Sequence, residues 1–157
     1  LKLVQEASQG TQTLFIPSKD VYTQGTKVHI SNVAINSFNK RTELAFLTTD
    51  NRRISQSMID KDTVTLATAN PYFFALCTSQ GSLHVYSSRT FMCVAGGIQI
   101  EGVCMMESSH ESMTLALLTL KGALYLFRVI NPDASLSQPQ CQLLCQTTLI
   151  QLLKKEE

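Results

Sequence analysis

Phe74-Ala75-Leu76-Cys77-Thr78-Ser79-Gln80-Gly81-Ser82-Leu83-His84-Val85-Tyr86 is echoed farther along the chain by Leu115-Ala116-Leu117-Leu118-Thr119-Leu120-Lys121-Gly122-Ala123-Leu124-Tyr125-Leu126-Phe127. With Ala75 set on Ala116, Leu76 meets Leu117, Thr78 meets Thr119, Gly81 meets Gly122 and Leu83 meets Leu124, and the aromatic Tyr86 meets Phe127. Each copy has one physical logic. An apolar run makes a buried strand, a short polar turn with glycine reverses the chain, and a second strand alternates apolar residues. The two alanines lie 41 residues apart.

Self-similarity at about 40–45 residues is the period of a β-propeller blade of four strands. A weaker copy precedes the pair: Leu44-Ala45-Phe46-Leu47-Thr48-Thr49-Asp50-Asn51-Arg52-Arg53-Ile54, with Ala45 and Thr48 in register and Asn51 in the glycine position. Asn tolerates the positive φ that a tight turn needs. Ala45 precedes Ala75 by only 30 residues, so the first repeat reads as degenerate or compressed. Val28 to Phe38 adds a further strand, with Asn36 to Arg41 as its turn. Strands are expected near 11–16, 27–35, 43–48, 53–59, 63–68, 72–78, 82–87, 91–95, 98–106, 113–119 and 123–129.

The expected architecture is all-β: a partial or degenerate β-propeller of WD40-like blades over residues 1–130, a linker over 131–139 and a short C-terminal amphipathic helix over 140–157. The linker rests on the Asn131-Pro132-Asp133 turn and the polar run to Pro139. The helix rests on Cys141, Leu144, Cys145, Leu149, Leu152 and Leu153 falling on one helical face. Such repeats bury their faces only against neighbours, so three cannot close a ring. The opening Leu1-Lys2-Leu3-Val4 already reads as strand. Both features point to a fragment of a longer chain.

Composition agrees with a folded domain: 157 residues, 44% hydrophobic and 16% charged, too apolar for disorder. A net charge of +1 provides no long-range field toward nucleic acid or acidic membranes, and no apolar run reaches the roughly 18 residues of a membrane span. The five cysteines, Cys77, Cys93, Cys104, Cys141 and Cys145, are odd in number and lie among apolar neighbours, which suits reduced thiols. Cys141 and Cys145, four apart, would share a helix side, and read as packing residues rather than metal ligands.

Catalytic signatures are missing. There is no nucleophile elbow, no phosphate-cradling loop and no dinucleotide fingerprint, and Gly96-Gly97 reads as a hairpin turn between strands. The histidines His29, His84 and His110 are isolated in sequence, and Asp50, Asp60, Asp62, Glu101, Glu107 and Glu111 fall mainly in turns. Leu44, Phe46, Phe74, Leu76, Leu115 and Leu117, assigned to inner strands, put no titratable group on a propeller axis, which argues against a propeller-fold hydrolase. No catalytic residue, metal, cofactor or small-molecule substrate is expected. Two features bear on partners. Lys40, Arg41, Arg52 and Arg53 are the only basic concentration, a possible phosphate contact, though no aromatic residues interleave and they flank the Leu44 strand on two turns, so direct nucleic-acid binding is disfavoured. Leu149-Ile150-Gln151-Leu152-Leu153 fits the Leu-x-x-Leu-Leu pattern of a helix that docks into an apolar groove, through Leu149, Leu152 and Leu153.

The stretch Asp62-Thr63-Val64-Thr65-Leu66-Ala67-Thr68-Ala69-Asn70-Pro71-Tyr72-Phe73-Phe74 through Ser88, with Leu117 to Tyr125 as its next repeat, resembles the Hira-type domain of the Hir/HIRA histone chaperones. It has that family's strand, aromatic-rich strand, glycine turn and strand ending in an aromatic. The chain has no Trp, so Tyr86-Ser87 and Phe127-Arg128 stand where WD repeats end in Trp-Asp. Ser87-Ser88-Arg89-Thr90 runs straight into Phe91-Met92-Cys93, where the family has a Gly-Arg-Arg stretch and prolines. The resemblance implies a non-enzymatic scaffold in a nuclear complex that deposits histones independently of replication, with other protein subunits, histone-chaperone subunits among them, as partners. A vesicle-coat or nuclear-pore propeller, with a cytoplasmic address in the first case, has the same physics.

Overall fold

The apolar runs become strands in the computed structural model, which describes residues 2–3, 10–19, 25–34, 36, 38–133 and 138–154. In chain order they are β1 (Lys2–Leu3), β2 (Gly10–Ile16), β3 (Thr26–Ala34), β4 (Lys40–Thr48), β5 (Arg53–Asp60), β6 (Val64–Ala69), β7 (Phe73–Thr78), β8 (Ser82–Ser87), β9 (Cys93–Gln99), β10 (Val103–Ser109), β11 (Thr114–Thr119), β12 (Ala123–Ile130) and β13 (Gln140–Thr148), followed by α1 (Leu149–Lys154). They form three antiparallel sheets. Sheet 1 is β2-β3-β4-β5, sheet 2 is β6-β7-β8-β9 with β1 added on β6, and sheet 3 is β10-β11-β12-β13.

The sheets stack in chain order. Leu14, Val28, Ile30, Leu44, Phe46 and Ile59 of sheet 1 pack with Val64, Phe74, Leu76 and Tyr86 of sheet 2. Leu66, Phe73, Ala75, Cys77, Leu83 and Val85 of sheet 2 pack with Met106, Leu115, Leu117, Phe127 and Val129 of sheet 3. Sheet 2 therefore has no solvent face at its centre. That is why β7 is a continuous apolar run, buried at every position, while β11 alternates between buried and partly buried residues. Each buried Leu or Phe is worth about 1.5–3 kcal/mol. The first strands β2, β6 and β10 run beside one another, and the fourth strands β5, β9 and β13 hold most of the exposed strand residues.

Polar side chains stitch the sheets. Asn32 Nδ2 donates to the Val64 carbonyl at 2.9 Å, and the Val64 N–H donates back to Asn32 Oδ1 at 3.0 Å. Thr42 Oγ1, itself fully buried, donates to Asn32 Oδ1 at 2.7 Å. The side chain of Asn32 thus pairs with the first residue of β6 as a neighbouring strand would. Between sheets 2 and 3, the Thr68 and Ser108 hydroxyls meet at 3.1 Å.

Several sequence expectations are corrected. The hairpin from Leu44 to Ile54 is β4–β5, the third and fourth strands of its sheet, whereas Phe74 to Tyr86 is β7–β8, the second and third. The spacing of 30 compared different hairpins, and sheet 1 has all four strands rather than a compressed set. Asn51 misled because it takes φ 68° in its own turn, as Gly81 does at φ 81°. Leu44 and Phe46 therefore lie on a third strand, and Phe74, Leu76, Leu115 and Leu117 on second strands, not on the first strands that face one another. Next, Gly96-Gly97 is no hairpin turn. It lies within β9, where Ala95 pairs Val85 and Ile98 pairs Leu83, leaving one extra residue, a bulge with Gly97 at φ 72°. The reversal is at Gly102, φ 69°, so the strand read over 98–106 is two strands.

The C-terminal helix read over 140–157 is the largest difference. Gln140–Thr148 is β13, paired along β12 from Ile130↔Gln140 to Ala123↔Thr148, and only Leu149–Lys154 is helical. The span 131–139 accordingly joins two strands of one sheet. Spacings of three and four among Cys141, Leu144 and Cys145 suit a helix in isolation. A free edge on β12 offers eight residues of backbone pairing that a short isolated helix cannot match. The bulge opposite Leu126/Phe127 resets the alternation and hides the period of two. It also turns Cys145, which pairs Leu126, to the face opposite Cys141, which pairs Val129.

Candidate functional site

Sheet 3 has only one of its faces covered among the described residues. Met106, Leu115, Leu117, Phe127 and Val129 turn toward sheet 2, so the residues that alternate with them turn away. Those are Met105, Leu118, Leu124 and Leu126, joined in register as Met105↔Leu118↔Leu124 and Ala116↔Leu126, with Cys145 beyond. Leu143 and Leu144 on β13 are 50% and 42% exposed.

Past β13 the chain enters α1. Thr148 and Gln151 form a capping box: the Gln151 N–H donates to Thr148 Oγ1 at 3.2 Å, and the Thr148 N–H to Gln151 Oε1 at 3.4 Å. The Leu149 N–H donates to the Gly122 carbonyl at 2.9 Å, tying the helix to the β11–β12 turn, where Leu120 is 81% exposed. The six-residue helix brings Leu149, Leu152 and Leu153 together and buries none of its residues.

The basic residues are not brought together. Lys40 and Arg41 open β4, while Arg52 and Arg53 lie at the opposite end of the β4–β5 ladder. Arg41 Nε donates to Glu43 Oε1 at 2.9 Å, and Arg53 donates to Gln56 Oε1 at 3.2 Å. No single phosphate-sized patch results.

Burial sets the titrations. It pushes the Cys77 thiol up to about 12 and the Cys141 thiol up to about 11. Tyr86 rises to about 12, from burial first and then from Cys93. His84, half-buried between sheets 1 and 2, is held below the usual histidine range by desolvation, which the charge of Asp62 opposes. Raised thiol values at Cys77 and Cys141 suit packing groups rather than nucleophiles. No three His, Cys, Asp or Glu are grouped to hold a metal among the described residues. No helix among them is long and apolar enough to cross a membrane.

One cluster escaped the sequence reading. Lys19, after β2, lies 3.4 Å from Asp133 Oδ2 and 4.1 Å from the Tyr72 ring centroid, and Ser87 Oγ donates to Asp133 Oδ1 at 2.5 Å. These contacts tie loops of all three sheets at one end. Lys19 and Asp133 are 114 residues apart, so no local pattern could reveal them. Beside them, Asn70 Oδ1 accepts the Tyr72 and Phe73 N–H groups at 2.9 and 3.0 Å.

No protein-family model and no curated protein matches the chain. Solved structures do match in fold. One is HIRA(644-1017), with a TM-score of 0.59 and 16% identity over 81% of this chain and 37% of that one. Another is the β-propeller domain of Myceliophteria thermophila Cps50 (Swd1), with a TM-score of 0.51 and 12% identity over 80% of this chain and 42% of that one. The chain thus spans about two-fifths of either structure's length. Three stacked four-stranded antiparallel sheets, a repeat of 41 residues between the second and third, and these matches give one conclusion: the chain folds as three blades of a WD-repeat-like β-propeller.

Proposed function

We propose that this chain is a non-enzymatic docking scaffold whose third sheet and α1 receive other protein subunits. The open apolar face of sheet 3, with Met105, Leu118, Leu124 and Leu126, carries the reading, and the exposed Leu149, Leu152 and Leu153 of the adjoining helix add to it. A propeller blade buries such a face against the next blade, and that blade comes from a longer form of the protein or from another subunit. The helix is a second, smaller contact of the helix-in-groove type.

The finer assignment is a nuclear, replication-independent histone-chaperone complex acting on chromatin, in which this segment holds subunits together. It is supported by the Hira-type texture of Asp62 to Ser88 and Leu117 to Tyr125 and by the likeness of fold to HIRA(644-1017). A coat or pore propeller is the competing address. Affinity purification of the full-length protein with mass spectrometry decides between them. Histone-chaperone subunits are the expected recovery, and coat or pore subunits without them overturn the assignment. Leu149→Asp with Leu152→Asp and Leu153→Asp should remove at least one recovered subunit while the rest of the set is unchanged.

A further inference from the structure

Each sheet has a backward face, toward the sheet before it in the stack, and a forward face, toward the sheet after it. The backward faces of sheets 2 and 3 are apolar. Val64, Phe74, Leu76 and Tyr86 form one, and Met106, Leu115, Leu117 and Phe127 form the other. The backward face of sheet 1 departs from this pattern. Leu14, Val28, Ile30, Leu44 and Phe46 turn forward to sheet 2, so the residues that alternate with them turn back. In register they are Thr11↔Ser31↔Glu43 and Thr13↔His29↔Ala45, with Lys27 and Arg41 on the same side. Phe15 and Leu47 share the end row with Lys27, outside those polar rows.

The polar groups of this face already serve one another. The Thr11 and Ser31 hydroxyls meet at 2.9 Å, Arg41 Nε donates to Glu43 Oε1 at 2.9 Å, and Lys27 Nζ donates to Asn51 Oδ1 at 2.6 Å. A hollow of about 670 Å³ opens over the rows, bordered by Thr11, His29, Glu43 and Ala45. An apolar blade face laid on it would strip water from Lys27, Arg41 and Glu43 and gain little apolar contact in return. The forward face of sheet 3 has the opposite character, with Met105, Leu118, Leu124 and Leu126. The two outer faces of the stack are therefore not complementary to each other.

We propose that the backward face of sheet 1 is a terminal face, which stays in water when another blade covers sheet 3. Blades then add at sheet 3 alone, and the blade that covers sheet 3 is not sheet 1 of a second copy. The inference rests on the docking reading of sheet 3, and the experiment separates the two.

Thr11→Cys, Glu43→Cys and Leu118→Cys are made one at a time in the full-length protein purified with its subunits. Each is treated with a maleimide, and modification at that position is followed by peptide mass spectrometry and compared with the urea-unfolded protein. Thr11 and Glu43 are exposed in the chain itself. Positions 11 and 43 should label within about tenfold of the unfolded rate, and position 118 about a hundredfold or more slower than unfolded, since a covered thiol reacts only through opening. Protection of positions 11 and 43 to the level of position 118 would overturn the proposal; head-to-tail closure by a second copy predicts that result. Labelling at position 118 as fast as at 11 and 43 would instead overturn the docking reading of sheet 3. Charge gives a second measure at equivalent third strands. Ala45→Lys on β4 should leave the melting temperature and the recovered subunits unchanged, whereas Leu124→Lys on β12 should lose at least one subunit. A subunit lost, or a lowered melting temperature, with Ala45→Lys also overturns the proposal.

Discussion

At the residue scale, the two glycines that made the repeat visible do different work. Both take positive φ, 81° at Gly81 and 80° at Gly122. A Cβ on Gly81 would stand 3.1 Å from the Glu101 Cα and the Ile100 carbonyl oxygen, whereas one on Gly122 meets nothing within 4 Å. Gly122→Ala should therefore cost only the left-handed backbone penalty, about 1–2 kcal/mol, and Gly122→Asn less. Gly81→Ala should cost more than Gly122→Ala, because backbone atoms must move. Denaturant midpoints of the three variants check the order. Leu76 and Leu117 are fully buried, one in each core. Leu76→Asp or Leu117→Asp should leave the domain unfolded at room temperature, since an unpaired charge in an apolar core is costly; a normal melting transition in either would show the packing to be wrong.

His84 gives a pH dependence with a definite sign. Its folded pKa is lowered from 6.5 by desolvation, the larger cause, against the raising effect of Asp62. The unfolded chain then binds the proton more readily. Stability is undiminished above the unfolded pKa, falls as pH drops through 6.5 toward the folded value, and levels off below it. Melting temperature measured between about pH 8 and pH 5 should fall on acidification, and the His84→Gln variant should lose that part of the slope.

At the element scale, α1 and the β6 entry are opposites. α1 buries nothing, so replacing Leu149, Leu152 and Leu153 by Asp should change stability by no more than about 0.5 kcal/mol per site while affecting partner recovery. Asn32 is only part-buried, yet Asn32→Ala strips the Val64 carbonyl of its donor and leaves the Val64 N–H only Thr42 Oγ1, at 3.1 Å. A cost of about 1–3 kcal/mol is expected, read by chemical denaturation. β13 shows how context overrides a local pattern: its residues are compatible with a helix, and the unpaired edge of β12 decides for a strand.

For the whole molecule, sheet 2 contributes to both cores, so the three sheets should unfold together. Hydrogen exchange checks this. The β7 amides should exchange only through global opening, and α1 and β13, on the exposed side of sheet 3, should exchange first through local opening.

The chain by itself determined its strands and their repeat. A buried run, a glycine turn and an alternating run are local features, readable at Phe74 to Tyr86 and again at Leu115 to Phe127. Tertiary structure decided which hairpin held which place in its sheet, that Gln140–Thr148 paired rather than coiled, and that Gly96-Gly97 bulged rather than turned. It alone brought Lys19, Tyr72 and Asp133 together, because they lie in loops of three different sheets. The reason is physical: hydrogen-bond partners for an edge strand, and the distance between two sheets, depend on residues far apart in the chain, and local periodicity has no knowledge of them.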